Sequence, residues 1–215
     1  MIPNLTVPVL NRYDLLVRMI GSIDYPVKHL LIIDNGGGIE SLDKPDLVEK
    51  LTVWNMPANF GVAASWNLGI KAFRNDDVFF FASNDMTFEP GALKTLGDAP
   101  RDAVTLSMHM PHFQTFAVGV DVVARVGLFD ESFFPAYCED IDYLWRCERA
   151  GVTVDRAFIP TKHDNSSTIH SDLNYQSGNT VTFPQNTELL RWKQNNMKAE
   201  ALPFNVMRWR RQDWR

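Results

Sequence analysis

Two cysteines, Cys138 and Cys147, are all that 215 residues supply, too few for a disulfide framework or a thiolate metal site. Nine positions apart in one predicted helix, they sit more than about 7 Å from each other, beyond bridging distance. No apolar run approaches the ~20 residues that span a bilayer. The first residues lack the basic stretch and long apolar core of a secretory signal. Neither GxGxxG nor GxxxxGK[ST] occurs, which weighs against dinucleotide oxidoreductases and P-loop NTPases. Positive charge is also short: 21 Lys and Arg against 26 Asp and Glu leave a net charge of −5. That balance argues against broad electrostatic binding of nucleic acid. Together these absences predict a soluble, cytoplasmic protein.

What is present is a core. Hydrophobic residues make up 45% and aromatics 12% of the chain, so disorder is excluded as its general condition. At roughly 150 residues per domain this is one domain, or one with an appendage. A chain this long buries about 70% of its unfolded surface and needs no staple. Positive charge gathers only at the end, where Arg208 to Arg215 holds four arginines and two tryptophans. Such a tail suits stacking on bases, sugars or lipid head groups, and equally a solvated terminus or an oligomer contact; it is assigned no role.

The first half alternates two periods. Strands are predicted over 5–10, 30–33, 51–54 and 78–82, and helices over 14–23 and 61–73, from apolar runs and from apolar residues at helical spacing. Residues 78–82 are apolar throughout, which predicts burial on both faces. Strand–helix alternation at this spacing implies βαβ units and a parallel sheet. In the second half, helices are predicted over 90–96, 122–126, 138–150 and 187–199, strands over 104–108, 114–120 and 152–159, and a polar loop over 164–178.

Ligands of open α/β sheets bind beyond the carboxyl ends of the strands. Polar residues gather there: Asn11-Arg12, Asp34-Asn35, Asn55 onward to Asn59, and Ser83-Asn84-Asp85. Asp34 precedes three glycines, which suits a carboxylate meeting ribose hydroxyls beside a closely approaching backbone, and suits a turn aspartate as well. Asp85 ends a buried strand, where a carboxylate holds Mg²⁺ or Mn²⁺ or caps a turn. Glu139, Asp140 and Asp142 open a helix after an aromatic-rich loop. The helix dipole alone would favour them. Mutual repulsion and aromatic neighbours would raise their pKa toward that of a general base. Glu139 and Asp142 share a helix face, with Asp140 about 100° away, so one acid can face a pocket while others make structural contacts. His163 follows a β-rich segment; His109 and His112 flank Met110-Pro111.

Taken together these segments resemble the family-2 glycosyltransferases, particularly the rhamnosyltransferase-like members, which are inverting nucleotide-sugar enzymes of the GT-A fold. Pro8-Val9-Leu10-Asn11-Arg12 is similar to the opening motif, and Ile32-Ile33-Asp34-Asn35-Gly36 to the second-strand motif. Asn59 to Gly69 matches N-x-G-x-A-x-x-x-N-x-G, the most specific of the set. Phe81 to Asp85 with Glu89-Pro90-Gly91 resembles the DxD strand and the helix after it. Gly127 to Glu131, Phe133-Phe134 and Glu139-Asp140-x-Asp142 resemble the acceptor-side motif, and Lys162-His163 with Ser166-Ser167-Thr168 the late histidine segment. The likeness covers roughly residues 3 to 170 in order.

The resemblance implies an α/β, GT-A-like fold: a Rossmann-related, mostly parallel sheet flanked by helices, with a small antiparallel acceptor-side element. Residues 1–185 would form one catalytic domain, 1–97 its nucleotide-sugar half and 98–185 its acceptor half, followed by a helix and basic tail over 186–215. Asp34 would hold the nucleoside, with Asn11 and Arg12 near base or diphosphate. Pro8, Asn35, Asn59, Gly61, Asn67 and Asn84 complete the donor side, Asn67 bracing the donor loop or the sugar, or capping structure. Asp85 and His163 would hold Mn²⁺ or Mg²⁺. Asp140 is the implied base, with Glu139 and Asp142 as alternatives. Residues 164–178 would order over the donor. The partner is a nucleotide-sugar donor; the acceptor is a glycan, a protein or a modified nucleic acid. The chain departs from the pattern where Ser83-Asn84-Asp85 keeps only the last carboxylate of DxD. A sugar-phosphate nucleotidyltransferase and an inactive binding module are the competing readings. Asn11-Arg12-Tyr13-Asp14 speaks against the first, being no glycine- and arginine-rich loop.

Overall fold

A computed structural model describes residues 1–163 and 173–197. The predicted βαβ alternation is there: β1 (Leu5–Val9), α1 (Tyr13–Gly21), β2 (Val27–Asp34), β3 (Val48–Asn55), α2 (Val62–Ala72) and β4 (Val78–Ala82). Then follow β5 (Met86–Phe88), α3 (Ala92–Leu96), β6 (Ala103–Ser107), β7 (Thr115–Gly119), α4 (Val120–Val126), α5 (Glu139–Arg149), β8 (Thr153–Ala157), β9 (Thr161–His163) and α6 (Leu173–Asn196). Seven strands form one sheet in the order β3-β2-β1-β4-β7-β6-β8. All run parallel except β7, which is antiparallel to both β4 and β6. The architecture is the expected α/β one, a mostly parallel sheet flanked by helices.

Strand β4 shows why. Phe80 and Ala82 join one core layer with Leu16 and Met19 of α1. Phe79 and Phe81 join the other, with Trp66 of α2, Phe116 of β7 and Tyr143 of α5. An all-apolar strand is thus covered on both faces, as a parallel-sheet strand must be. A second, two-stranded antiparallel sheet pairs β5 with β9, placing Met86 opposite His163. This pairing joins segments more than seventy residues apart in sequence, and neither strand, at three residues, carries enough pattern to be read in advance.

Two corrections concern the C-terminal part. The helix expected over 187–199 begins at Leu173, so residues 173–178 are helical rather than loop; residues 164–172, with Ser166-Ser167-Thr168, lie outside the described residues, as does the tail. Gly178 and Pro184 hide this helix from a propensity reading, proline alone costing about 3 kcal/mol in a helix interior. Position 185 falls within it. Tertiary contacts hold the helix instead. Lys193 is 1% exposed, and its Nζ lies 2.6 Å from Asp130 Oδ2 and 2.5 Å from Asp142 Oδ1. Arg146 Nε donates to Asp142 Oδ2 at 2.8 Å. Cys138 and Cys147 are both buried free thiols. No helix among the described residues is long and apolar enough to cross a membrane.

Removing one member of a buried charge cluster leaves the others uncompensated. Lys193→Met is therefore expected to destabilise the chain by about 3–5 kcal/mol in urea denaturation; a loss under about 1 kcal/mol would show that the cluster does not hold α6.

Candidate active site

The chain runs outward from β1 to β2 to β3, then returns on the other side of β1 as β4. Such a switch point opens a crevice beyond the strand ends. Here β1 and β4 pair only at Thr6 opposite Phe81, and two positions on Pro8 has no N–H with which to extend the ladder. A cleft of about 330 Å³ lies there. Of the residues singled out in the sequence, Pro8, Asn35, Asn59, Gly61, Asn84 and Asp85 line it, and so do Glu139, Asp140 and His163. Asn11, Arg12, Asp34 and Asn67 are not in its wall.

One corner is built by the small sheet. Asp85 immediately precedes β5 and His163 ends β9, so their pairing brings His163 Nε2 to 3.1 Å from Asp85 Oδ1. Both side chains are about nine-tenths buried. No cluster of three or more His, Cys, Asp or Glu suited to a metal occurs among the described residues. An imidazole and one carboxylate on a single side nonetheless fit Mg²⁺ or Mn²⁺, which binds through one or two protein carboxylates and keeps positions for phosphate oxygens.

The donor-side residues turn out to be joints. Asp34 is fully buried: Oδ1 accepts from the Tyr13 hydroxyl at 3.0 Å and from Gly36 N–H at 3.0 Å, and Oδ2 from Ile39 N–H at 2.9 Å. Its carboxylate shapes the turn instead of facing the cleft. The glycines serve the same packing, since a β-carbon at Gly36 would fall 2.0 Å from the Leu10 carbonyl oxygen. Arg12 forks onto Asp14 through Nε and Nη2 at 2.9 and 2.7 Å, on the surface. The Asn11 carbonyl accepts a long bond from Asn84 at 3.4 Å.

The Asn59–Gly69 motif resolves residue by residue. Asn59 closes its own turn onto Gly61 N–H at 2.8 Å. Asn35 accepts from Phe60 N–H at 3.0 Å and donates to the Ser65 hydroxyl at 2.8 Å. Gly61, with φ +84, lets the backbone pass where a β-carbon would lie 2.8 Å from the Pro135 carbonyl; Val62 N–H donates to that carbonyl at 2.9 Å. Asn67 exchanges two bonds of 2.9 Å with the Phe129 backbone and reaches Glu131 at 2.8 Å. Asn67 therefore braces the loop that carries Phe129 and Glu131, not a loop beside Asp34 or Asp85, and the motif ties α2 to the segment ahead of α5.

The acid corner opens α5. Before it, Tyr137 and Cys138 have φ of 76° and 75°, a left-handed pair costing of order 1–3 kcal/mol per residue unless its surroundings hold it. Glu139 is 5% exposed, and its Oε2 has no hydrogen-bond partner among the described residues. Burial, then the charge of Asp140, pushes its carboxyl up to about 8. Asp140 is half-buried beside it; burial raises its pKa too, against the Ile141 N–H that bonds Oδ1 at 2.8 Å. Asp142 makes the structural contacts, with Lys193 and Arg146. Two acids thus face the cleft and one does not.

Residues the sequence did not flag complete this corner. Tyr175, from α6, lines the cleft, and burial lifts its hydroxyl to about 12. Asn186 bonds the loop before α5, and Gln114, 2% exposed, stands in the wall below Ser83. All but Gln114 lie on α6, ahead of the stretch whose spacing predicts a helix. His109 packs on Phe158, while His112 bonds the Ser107 carbonyl and Arg156.

No family model matches the chain. Over 43 residues, 20% of this chain and 10% of the relative, it is 46% identical to a galactofuranosyl glycosyltransferase from Leishmania donovani. Among solved structures it is similar to TarS 1-349 from S. aureus, with a TM-score of 0.55 and 14% identity over 74% of this chain and 59% of that one. The chain therefore spans about three-fifths of the TarS structure and a tenth of the curated relative. What it shares with TarS is the fold, a GT-A-like α/β architecture.

Glu139 supplies a sign that can be checked. Its folded pKa of about 8 lies above the ordinary value of 4.5, so the folded state holds the extra proton. Its contribution to stability is full below pH 4.5 and is lost as pH rises toward 8, at up to about 1.4 kcal/mol per pH unit. Glu139→Gln should abolish that slope, so the stability difference between variant and wild type grows with pH across this window in denaturant titrations. A pH-independent difference would mean that Glu139 ionises normally.

Proposed function

We propose that the chain is an inverting glycosyltransferase that moves a sugar from a nucleoside diphosphate to an acceptor hydroxyl. The observation that carries this reading is that one cleft, at the switch point of the sheet, joins the Asp85–His163 pair to the Glu139–Asp140 pair. The first pair suits a diphosphate with its cation, the second a hydroxyl that must lose a proton. The local identity to a galactofuranosyl glycosyltransferase and the fold shared with TarS support it.

Asp85 and His163 would hold Mn²⁺ or Mg²⁺, which when bound offsets negative charge on the leaving diphosphate. Asp140 is the base. Its raised pKa brings it toward the working pH, where a general base is most effective, while Glu139, at about 8, stays protonated at neutral pH and leaves that role to its neighbour. Asp140 takes the proton of the acceptor hydroxyl as its oxygen attacks the anomeric carbon; the bond from that carbon to the phosphate oxygen breaks, and the diphosphate departs with the electron pair. Attack opposite the leaving group inverts the configuration. Asp34, Asn35 and Asn59 act by holding the turns that shape the donor side.

A panel of UDP-, GDP- and dTDP-sugars with Mn²⁺ should include one that raises the melting temperature, since a donor at 100 times its Kd adds about 2.7 kcal/mol. His163→Ala should lose the Mn²⁺-dependent part of that rise; a rise that keeps its Mn²⁺ dependence would remove His163 from the cation site. Asp140→Asn should keep the rise yet transfer the sugar to acceptor, and so release nucleoside diphosphate, about 10²- to 10⁴-fold more slowly. Undiminished transfer would rule Asp140 out as base.

A further inference from the structure

Helix α6 reaches back over the acid corner, and one of its side chains meets the backbone there at three points. Asn186 is 4% exposed. Its amide nitrogen lies 3.3 Å from the carbonyl oxygen of Phe134, 2.9 Å from that of Ala136 and 3.2 Å from that of Tyr137. An amide nitrogen has two hydrogens, so one is shared between carbonyls. These carbonyls belong to the segment that delivers Glu139 and Asp140, and its last residues, Tyr137 and Cys138, are the left-handed pair. The other side of the segment is held by the Val62 N–H on the Pro135 carbonyl.

Docking of α6 does not rest on Asn186. Lys193 ties the helix to Asp130 and Asp142, and Leu190 packs with Phe133 and Cys138. Removing the amide therefore leaves the helix in place and frees the segment. We propose that Asn186 is a positioning residue: by gathering the Phe134, Ala136 and Tyr137 carbonyls it holds the left-handed entry to α5 and sets where the Glu139 and Asp140 carboxyls stand in the cleft. The proposal rests on the reading of this corner as the acid site, with Asp140 as its base.

The test reads the corner without needing the substrate. The Glu139 carboxyl is titrated by ¹³C NMR in the full chain, in wild type, Asn186→Leu and Asn186→Gln. Facing Glu139 are Asp140 and Tyr137 on its own segment and Tyr175 on α6, with Cys138 beside it and His112 acting on Asp140; none is altered by these substitutions. Freed from its clamp, the segment admits water, so Asn186→Leu should titrate at least about one pH unit below wild type, while Asn186→Gln, which keeps the amide, should restore most of the shift. With the donor that gives the largest thermal shift, Asn186→Leu should lower kcat about a hundredfold with donor KM little changed, as expected for misplaced reacting groups. An unchanged Glu139 titration, or kcat and KM lost together, would overturn the positioning role. Asp140→Asn, run beside it, separates the two claims: a variant that still turns over defeats the base assignment and leaves the titration result standing.

Discussion

Strands β1 and β4 pair in parallel through one residue couple, Thr6 and Phe81, and the space that opens beyond it holds both the Asp85–His163 pair and the Glu139–Asp140 pair. The strands lie side by side because β4 re-enters the sheet on the far side of β1. They do not zip further: Pro8 has no N–H to offer, and the polar run Ser83-Asn84-Asp85 leaves the ladder to meet β5 and β9. A crevice at this place is a consequence of topology; what this sequence adds is the chemistry of its walls.

Those walls are assembled from parts distant along the chain, each delivered by a different device. The β5–β9 pairing sets Asp85 against His163. The Asn59–Gly61 turn approaches the Pro135 carbonyl closely enough that only glycine fits at Gly61, and Asn67, six residues after that glycine, grips the Phe129 backbone. From the opposite side α6 supplies Asn186 and Lys193. The segment from Phe129 to Cys138 is thus gripped by two helices.

Much of the parallel half was legible because its signals are local. Apolar runs ending in polar residues locate β1, β2 and β4, and helical spacing locates α1, α2 and α5. Asp85, Glu139, Asp140 and His163 were visible as acids and an imidazole at strand or helix ends. Their convergence was not a matter of spacing, since it depends on the register of β5 with β9 and on crossovers that no window of residues contains. Asp34 shows the limit of a local reading: a carboxylate before three glycines suits a ribose and a turn equally, and the partners it meets here, Tyr13 and Ile39, are set by packing. Helix α6 was shortened because Ser177, Gly178 and Pro184 argue against a helix that ion pairs and buried amides hold from outside. Arg12, read as a ligand contact, is satisfied by Asp14 two residues on.

The central claim is that one cleft presents a diphosphate site and a proton acceptor to the two ends of the same breaking bond. A crystal structure with Mn²⁺ and a non-hydrolysable nucleotide sugar tests it most directly. The account places the diphosphate against Asp85 and His163, with the anomeric carbon turned toward Asp140 and room for a hydroxyl oxygen at about 3–3.5 Å from that carbon. A donor seated outside the β1–β4 crevice, or one whose sugar points away from the α5 acids, would contradict it.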